Sequence, residues 1–232
     1  MIACEHALAL LLLFGFPLWD VLETRALKTG TNPRRKLSSY QRVMFVLWIT
    51  AITAWVALRS NLFFVWPAVR LSVFQKINGL FLWGLAIAWV TVNLLRAFQR
   101  RNTKLRDTTM AAMKRLDFFL PVSREERFWF AVLAVTAGVC EEVLYRGFLI
   151  RYFSDGPWHL DLTLALLVSC AAFGLAHGYQ GLSGIISTAI GGAMFSIVFF
   201  ITGSLWLPMA LHAFIDLSIL PVLRRGDLFS AP

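Results

Sequence analysis

The stretch FWFAVLAVTAGVCEEVLYRGFLIRYF, residues 128–153, decides what kind of protein this is. Residues 128–140 carry no charge, and Glu141, Glu142 and Arg146 then follow inside a segment, 138–148, that otherwise reads as apolar helix. An apolar run of this length reads as a helix that crosses a bilayer. A charged side chain at bilayer depth costs about 2.5–3.5 kcal/mol on insertion scales, and two adjacent carboxylates repel each other as well. Glu141 lies near the middle of the run, so these charges need partners. Glu142 and Arg146 are four residues apart, about 40° around an α-helix, whereas Glu141 and Arg146 are about 140° apart. Arg146 therefore braces Glu142. Glu141 faces elsewhere and requires a partner from another helix.

The rest of the chain is of the same kind. Of its 232 residues 58% are hydrophobic and 15% charged, well below the quarter usual for soluble domains, and the mean hydropathy is +0.68. The expected fold is all-α, a polytopic transmembrane helix bundle of one domain with about seven spans and an interfacial amphipathic helix. The spans are expected at Ala3–Leu22, Val43–Leu58, Gly79–Leu95, Phe128–Phe153, Leu162–His177, Leu182–Thr202 and Leu205–Leu223. The first resembles a signal peptide in position only. No Lys or Arg precedes its apolar core and no small-residue cleavage site follows, so it reads as a retained helix. The net charge of +9 does not point to nucleic acid, because the basic residues cluster between apolar runs. The implied neighbour is the lipid bilayer. Cys4, Cys140 and Cys170 have neither disulfide nor zinc spacing and read as small buried hydrophobes.

The basic residues orient the bundle. Six lie in residues 23–42, nine in 96–127, and Arg224 and Arg225 in the tail, while Arg59, Arg70 and Lys76 occupy the second connection. Seven spans put the larger groups on one side, with the N-terminus outside and the C-terminus cytoplasmic. Within TKLRDTTMAAMKRLDFFL (103–120), Leu105, Met110, Met113, Leu116 and Leu120 recur near helical spacing among basic residues, as in a helix lying on the inner leaflet; a solvated linker is the alternative. Ser123 and Glu126 form a capping box that starts the fourth helix. Gly184, Thr188, Gly192 and Ser196 make a stripe of small residues for close helix packing in lipid. In TGSLWLP (202–208) Ser204 is placed to cap the last helix, with Pro208 in or just beyond its first turn.

Few other ionisable groups occur in the last four spans. FGLAHG (173–178) puts His177 at the end of the fifth span, one turn after Phe173. ALHAFID (210–216) puts His212 and Asp216 one turn apart on the seventh. Short connections make these helices neighbours, which would bring the groups together. A carboxylate held near imidazoles in a dry site can take a proton from water, and imidazoles or an amide can stabilise the resulting oxyanion. Glu141, His177 and His212 can instead hold zinc and leave one position for water. Either chemistry hydrolyses an amide, and no HExxH helix is present to choose between them. His6 and His159 fall outside the cluster. His159 follows Trp158 in a loop beside Asp161, which reads as an interfacial position.

EEVLYR reads as E-E-x-x-x-R, FGLAH as F-x-x-x-H and HAFID as H-x-x-x-D, in that order on successive helices. This is similar to the CPBP family of CAAX prenyl proteases and bacteriocin-processing or bacteriocin-immunity proteins, also called Abi. TGSLWLPMALH resembles that family's stretch before its last histidine. The resemblance covers about residues 125–220. It divides the chain into residues 1–120, membrane helices and basic connections without family signal, and residues 121–232, a CPBP-like catalytic core. It implies an intramembrane endopeptidase acting on membrane proteins or lipid-anchored peptides in a cytoplasmic (plasma) membrane, if the source is bacterial. By the same resemblance, Glu141 activates the water, Glu142 and Arg146 support it, and His177 contacts Glu141 or the water. His212 and Asp216 stabilise the oxyanion, and Asp216, standing where the family has Asn or Asp, can do so only when protonated. The adjacent glutamates favour a metal-free, glutamate-activated water over zinc. The other readings are a non-catalytic immunity or scaffold protein and a proton-coupled transporter. Transporters often show two related halves, and no second glutamate motif occurs in the first half. The depths conflict on this topology: His212 falls about 10 Å from the outer surface and His177 near the inner one.

Overall fold

The computed structural model describes residues 2–30, 32, 34–58, 62–64, 84, 87, 89–90 and 114–223. Over these residues the fold is all-helical, as long apolar runs require where lipid cannot satisfy backbone groups. Helices α1 (Ile2–Leu10) and α2 (Phe16–Thr29) run on through a π-helical turn, Leu11–Gly15. Next come α3 (Arg35–Leu58) and α4 (Arg124–Glu141), the latter continuing through a π-helical segment, Glu142–Leu149, into α5 (Ile150–Ser154). Helix α6 (Leu162–Leu175), a 3₁₀ turn (Gly178–Gln180), α7 (Gly181–Thr202), α8 (Trp206–Leu217) and α9 (Leu220–Leu223) complete the order. A short antiparallel bridge pairs Phe64 with Ser204, and Phe63 stacks on Trp206 at 5.4 Å.

Among the described residues, four helices are long and apolar enough to cross a bilayer: Ala3–Thr29, Arg35–Leu58, Arg124–Ser154 and Gly178–Thr202. Helices α6 and α8 have only 14 and 12 residues. They reach roughly 21 and 18 Å at 1.5 Å per residue, short of a hydrocarbon core about 30 Å thick. Six of the seven expected apolar segments are therefore helices, four of them at spanning length. The third expected segment (79–95) lies largely outside the described residues, as do most of the amphipathic stretch 103–120 and the tail with Arg224 and Arg225.

Three local expectations are corrected. The first connection is not 23–42, since α2 continues to Thr29 and α3 begins at Arg35. Leu, Ala, Glu, Arg and Lys in LETRALK are good helix formers and carry α2 beyond its apolar stretch. Ser204 does not cap the last helix: Leu205 takes that position without a side-chain bond, and Thr202 Oγ1 donates to the Ser204 carbonyl at 3.0 Å. Gly203 ends α7 in the left-handed region at φ 74°, where a Cβ is disfavoured. Cys140 and Cys170 are buried as expected, but Cys4 is exposed on α1. The capping box is present. The Glu126 N–H donates to Ser123 Oγ at 3.1 Å and the Ser123 N–H to Glu126 Oε2 at 3.0 Å.

The core lies along the π segment, with Leu12, Leu144, Phe148, Leu149, Phe199 and Leu205 all inaccessible. Phe14, Leu18, Phe45, Trp55, Phe128 and Leu182 point outward, as lipid-facing side chains do. Helix α4 packs against α3 and α8, and α6 against α7. At the α4–α8 crossing a Cβ on Gly138 would come 2.7 Å from the Ala213 nitrogen. Only glycine permits that approach, which sets His212 beside the end of α4.

The described parts of the basic connections share one end of the bundle. Lys36 Nζ donates to the carbonyls of Asp117 and Leu120, each at 2.7 Å, and the Tyr40 hydroxyl donates to the Phe119 carbonyl. Arg127 Nη2 donates to the Leu223 carbonyl at 3.3 Å. The start of α3, the entry to α4 and the end of α9 therefore meet there.

Replacing Gly138 by Leu forces α4 and α8 apart. The expected cost is about 1–3 kcal/mol, read as a lower midpoint of thermal unfolding in detergent, whereas Gly84→Ala, with open space around it, should leave the midpoint unchanged.

Candidate active site

The site is built on the π-helical segment that begins at Glu142. Here the backbone bonds run i→i+5, a rare geometry that recurs at functional sites. All eight residues of the segment are buried. Glu142 and Arg146 remain on one face and pair at 3.1 Å, with side-chain exposures of 0% and 1%. Glu142 Oε1 also accepts from His212 Nδ1–H at 2.9 Å. The guanidinium lies over the rings of Phe173, at 4.2 Å, and Phe195, at 5.4 Å, an attraction between a cation and an aromatic face. Gly192 of the small-residue stripe makes room for it, since a Cβ there would meet Arg146 Nη2 at 2.9 Å.

Glu141, one residue earlier, points the other way. Its Oε2 lies 3.9 Å from His177 Nε2 and 3.8 Å from His212 Nε2. His212 Nε2 is also 3.7 Å from Asp216 Oδ2. Each separation is too long for a direct hydrogen bond. All six residues singled out in the sequence thus come together, Glu142 and Arg146 behind the wall and the other four on it. The depth conflict disappears because α6 and α8 are short. Helix α6 stops at Leu175, so His177 stands in the turn before α7, and neither imidazole sits at the surface end of a full span.

Backbone contacts orient the rings. His177 Nδ1–H donates to the Phe173 carbonyl at 2.8 Å, which leaves Nε2 to face Glu141 with its lone pair. Phe173 is the common wall: its ring lies 4.8 Å from that of His177, 5.8 Å from that of His212 and 5.0 Å from that of Tyr145. Phe195 stacks on the other side of His212 at 5.0 Å.

These groups line a cavity of about 820 Å³. Glu141, His177, His212 and Asp216 form its polar wall, and Phe16, Trp19, Phe119 and Phe130 are among its apolar ones. It also reaches Glu23, Thr24, Leu116 and Phe118, toward the basic end of the bundle.

Several polar residues on this cavity were not selected in the sequence, Asp20 and Tyr145 among them. Asp20 of α2 accepts the Tyr179 N–H at 2.8 Å and so pins the turn that carries His177. Nothing local in the sequence connects residue 20 with residue 179. Tyr145 also lines the cavity. It sits inside the glutamate motif, but at a position that reads as apolar filler. At the opposite end of the π segment, His6 Nδ1 pairs with the Tyr152 hydroxyl at 2.5 Å, and Trp158 Nε1–H donates to the same oxygen at 3.1 Å. His159 adopts a positive φ of 44° in the loop after α5.

Among the described residues no group of three or more His, Cys, Asp or Glu is arranged to hold a metal ion. In the set considered for zinc, the 3.8 and 3.9 Å separations exceed the roughly 3.3 Å between donors of a tetrahedral site with bonds near 2.0–2.2 Å.

Residues 123–218 match the family model described as Type II CAAX prenyl endopeptidase Rce1-like. No curated protein and no solved structure matches the chain. The matched stretch starts at the capping box of α4 and contains Glu141, Glu142, Arg146, His177, His212 and Asp216.

Arg146→Met leaves Glu142 buried without its cation and should destabilise the protein by about 3–5 kcal/mol. Glu141→Gln, which breaks no direct hydrogen bond, should unfold within about 1 kcal/mol of the native chain; thermal or denaturant unfolding in detergent compares the two. Asp20→Ala removes the acceptor for the Tyr179 N–H, and amide exchange over residues 177–180 should quicken about tenfold or more, as expected for a lost bond of about 1.5–3 kcal/mol to a charged acceptor.

Proposed function

We propose, from the match of residues 123–218 to the family model described as Type II CAAX prenyl endopeptidase Rce1-like, that this integral membrane protein is an intramembrane endopeptidase. It hydrolyses peptide bonds of membrane-associated substrates with a water activated by Glu141, and no metal takes part. One observation carries the reading: Glu141 Oε2 lies 3.9 Å from His177 Nε2 on a cavity wall. A water at hydrogen-bond distance from both atoms would subtend about 90° between them, so one molecule is held by a base and by an imidazole lone pair.

The steps follow from this geometry. His177 Nε2 and Glu141 each accept a hydrogen from the water and fix its oxygen toward the substrate carbonyl. As that oxygen bonds to the carbonyl carbon, Glu141 takes one proton. The tetrahedral adduct collapses, the C–N bond breaks, and Glu141 returns the proton to the leaving amine. Glu142 has no part in proton transfer. It holds Arg146 and the His212 ring, and so fixes the direction in which Glu141 points. Asp216 orients His212 from the other side.

The substrate enters from the basic end, where the cavity is lined by Glu23, Thr24, Leu116 and Phe118; basic connections belong to the cytoplasmic side. The apolar walls suit a lipid-anchored or membrane-embedded peptide, and the family description makes a prenylated CAAX peptide the first probe to use.

Glu141→Gln should lower cleavage of such a peptide in detergent or proteoliposomes by at least about 1,000-fold, within the span that a lost general base and its water produce. Expression and unfolding should stay near those of the native chain, and chelators should leave native turnover unchanged. Native-like cleavage by Glu141→Gln would remove the glutamate from the mechanism and leave a scaffold role for the fold. Loss of native activity on chelation, restored by zinc, would replace the metal-free water with a metal-bound one.

A further inference from the structure

We propose that Tyr145 is a further catalytic residue, whose phenolic O–H donates to the substrate carbonyl oxygen as that oxygen takes on negative charge. This rests on the endopeptidase reading above, and it adds a second donor to the one that His212 Nε2 can supply to the oxyanion.

The observation is an unpartnered hydroxyl in a confined place. Tyr145 is 1% exposed, lines the same cavity as Glu141, His177 and His212, and its hydroxyl has no hydrogen-bond partner. A buried tyrosine hydroxyl ordinarily finds one. Glu141 Oε2, the oxygen that faces the imidazoles, and Ser39 Oγ of α3 are other unpartnered buried atoms of residues that line the cavity. An orphan acceptor and an orphan donor on one polar wall are what a bound water and a bound carbonyl require. The phenol is also held firmly. Its ring meets Phe173 edge-on at 5.0 Å, and the Tyr145 carbonyl accepts from Ser169 Oγ–H at 2.8 Å.

Several alternative donors are engaged. His177 Nδ1–H is bonded to the Phe173 carbonyl and His212 Nδ1–H to Glu142. His212 Nε2 lies 3.8 Å from Glu141 and 3.7 Å from Asp216, beyond hydrogen-bond distance, so a proton on it can also donate to the oxyanion. Asp216 itself, as a carboxylate, only accepts. Ser187 Oγ–H is bonded to the Gly184 carbonyl. The Tyr179 hydroxyl accepts from Gln180 Nε2 at 3.1 Å and is the nearest competitor, so it enters the test.

In the proposed step the water oxygen bonds to the carbonyl carbon and its proton passes to Glu141. The carbonyl π pair moves onto oxygen, and that oxygen accepts the Tyr145 O–H. On collapse the pair returns, the C–N bond breaks and the Glu141 proton goes to the amine. Tyr145 keeps its proton throughout.

The test compares the native chain with Tyr145→Phe, Tyr179→Phe and Glu141→Gln, using a quenched-fluorescence peptide that ends in a prenylated CAAX sequence. Tyr145→Phe should lower kcat about 100-fold or more with KM within about twofold, the loss expected of one oxyanion donor. The aldehyde form of the same peptide hydrates to a tetrahedral diol and should bind Tyr145→Phe about 100-fold more weakly, while a non-reactive reduced-amide peptide should bind it equally well. Tyr179→Phe should remain within about threefold of native kcat. Because the Tyr145 hydroxyl bonds to nothing within the protein, Tyr145→Phe should also melt at the native temperature.

Native-like kcat in Tyr145→Phe, a loss confined to KM, or equal weakening of the aldehyde and the reduced amide would overturn the assignment. So would a melting temperature several degrees lower, which marks a structural hydroxyl. If any of these occurs while Glu141→Gln is inactive, Tyr145 loses its role and the endopeptidase reading stands. A native chain that cleaves nothing, or full turnover by Glu141→Gln, overturns both.

Discussion

Glu142 and Arg146 form an ion pair closed off from water, and four parts of the bundle meet on it. The pair itself belongs to the π segment after α4. His212 of α8 bonds to the carboxylate, while Phe173 of α6 and Phe195 of α7 lie against the guanidinium. A buried pair is weak grounds for stability, because desolvation can cancel the Coulomb attraction. Its effect here is on direction. Glu142 needs a hydrogen-bond donor from α8, and Arg146 needs aromatic faces from α6 and α7. Once both needs are met, the azimuth of the segment is fixed, and Glu141 has one side on which to emerge. The two glutamates are equal in sequence and unequal in burial, 0% against 14% of the side chain. Burial sorts one into the scaffold and leaves the other facing the cavity.

The short helices complete this. A span that crosses the whole bilayer keeps its polar termini at the headgroups. Helices α6 and α8 end early, so the chain can turn within the bundle and present side chains to the cavity from non-helical backbone. That is tolerated in membranes where the backbone lines a cavity or is covered by protein. His177 occupies such a turn, and its neighbour Tyr179 has its N–H satisfied by Asp20 from α2. The N-terminal helices, outside the stretch matched to the family, therefore close the site as well as anchoring the chain.

Much of this was legible in the sequence, for definite reasons. Adjacent charges in an apolar run are costly, so EEVLYR had to be a site or a scaffold element. Three ordered motifs then supplied His177, His212 and Asp216. The Glu142–Arg146 brace followed from i, i+4 spacing, and it survived a change of helix type that periodicity could not reveal. The π segment has no compositional mark, since its eight residues are apolar or paired like those of any buried helix. Helix ends were misjudged in both directions. LETRALK continues α2 where basic residues alone read as a connection. Helix α6 stops two residues before the histidine that its apolar run seemed to include. Asp20 and Tyr145 were missed because their significance lies in tertiary neighbours. A lone aspartate near a helix end has an ordinary solvated reading, and a tyrosine in an apolar motif reads as core.

The division between matched and unmatched residues has a physical consequence. The groups of the polar wall all come from residues 141–216, within the matched stretch. The apolar walls come in large part from outside it: Phe16, Trp19 and Leu27 of α1–α2, Val43 and Leu47 of α3, and Leu116 and Phe118 before α4. A polar wall must hold a few atoms within tenths of an ångström, and one buried ion pair and one glycine contact constrain all of it. An apolar wall needs only complementary volume, which many side chains can supply. The chemistry can therefore stay fixed while α2, α3 and the 116–120 segment vary in shape. Under the endopeptidase reading, what the cavity accepts depends in large part on the first half of the chain, and what it does to the accepted bond depends on the second.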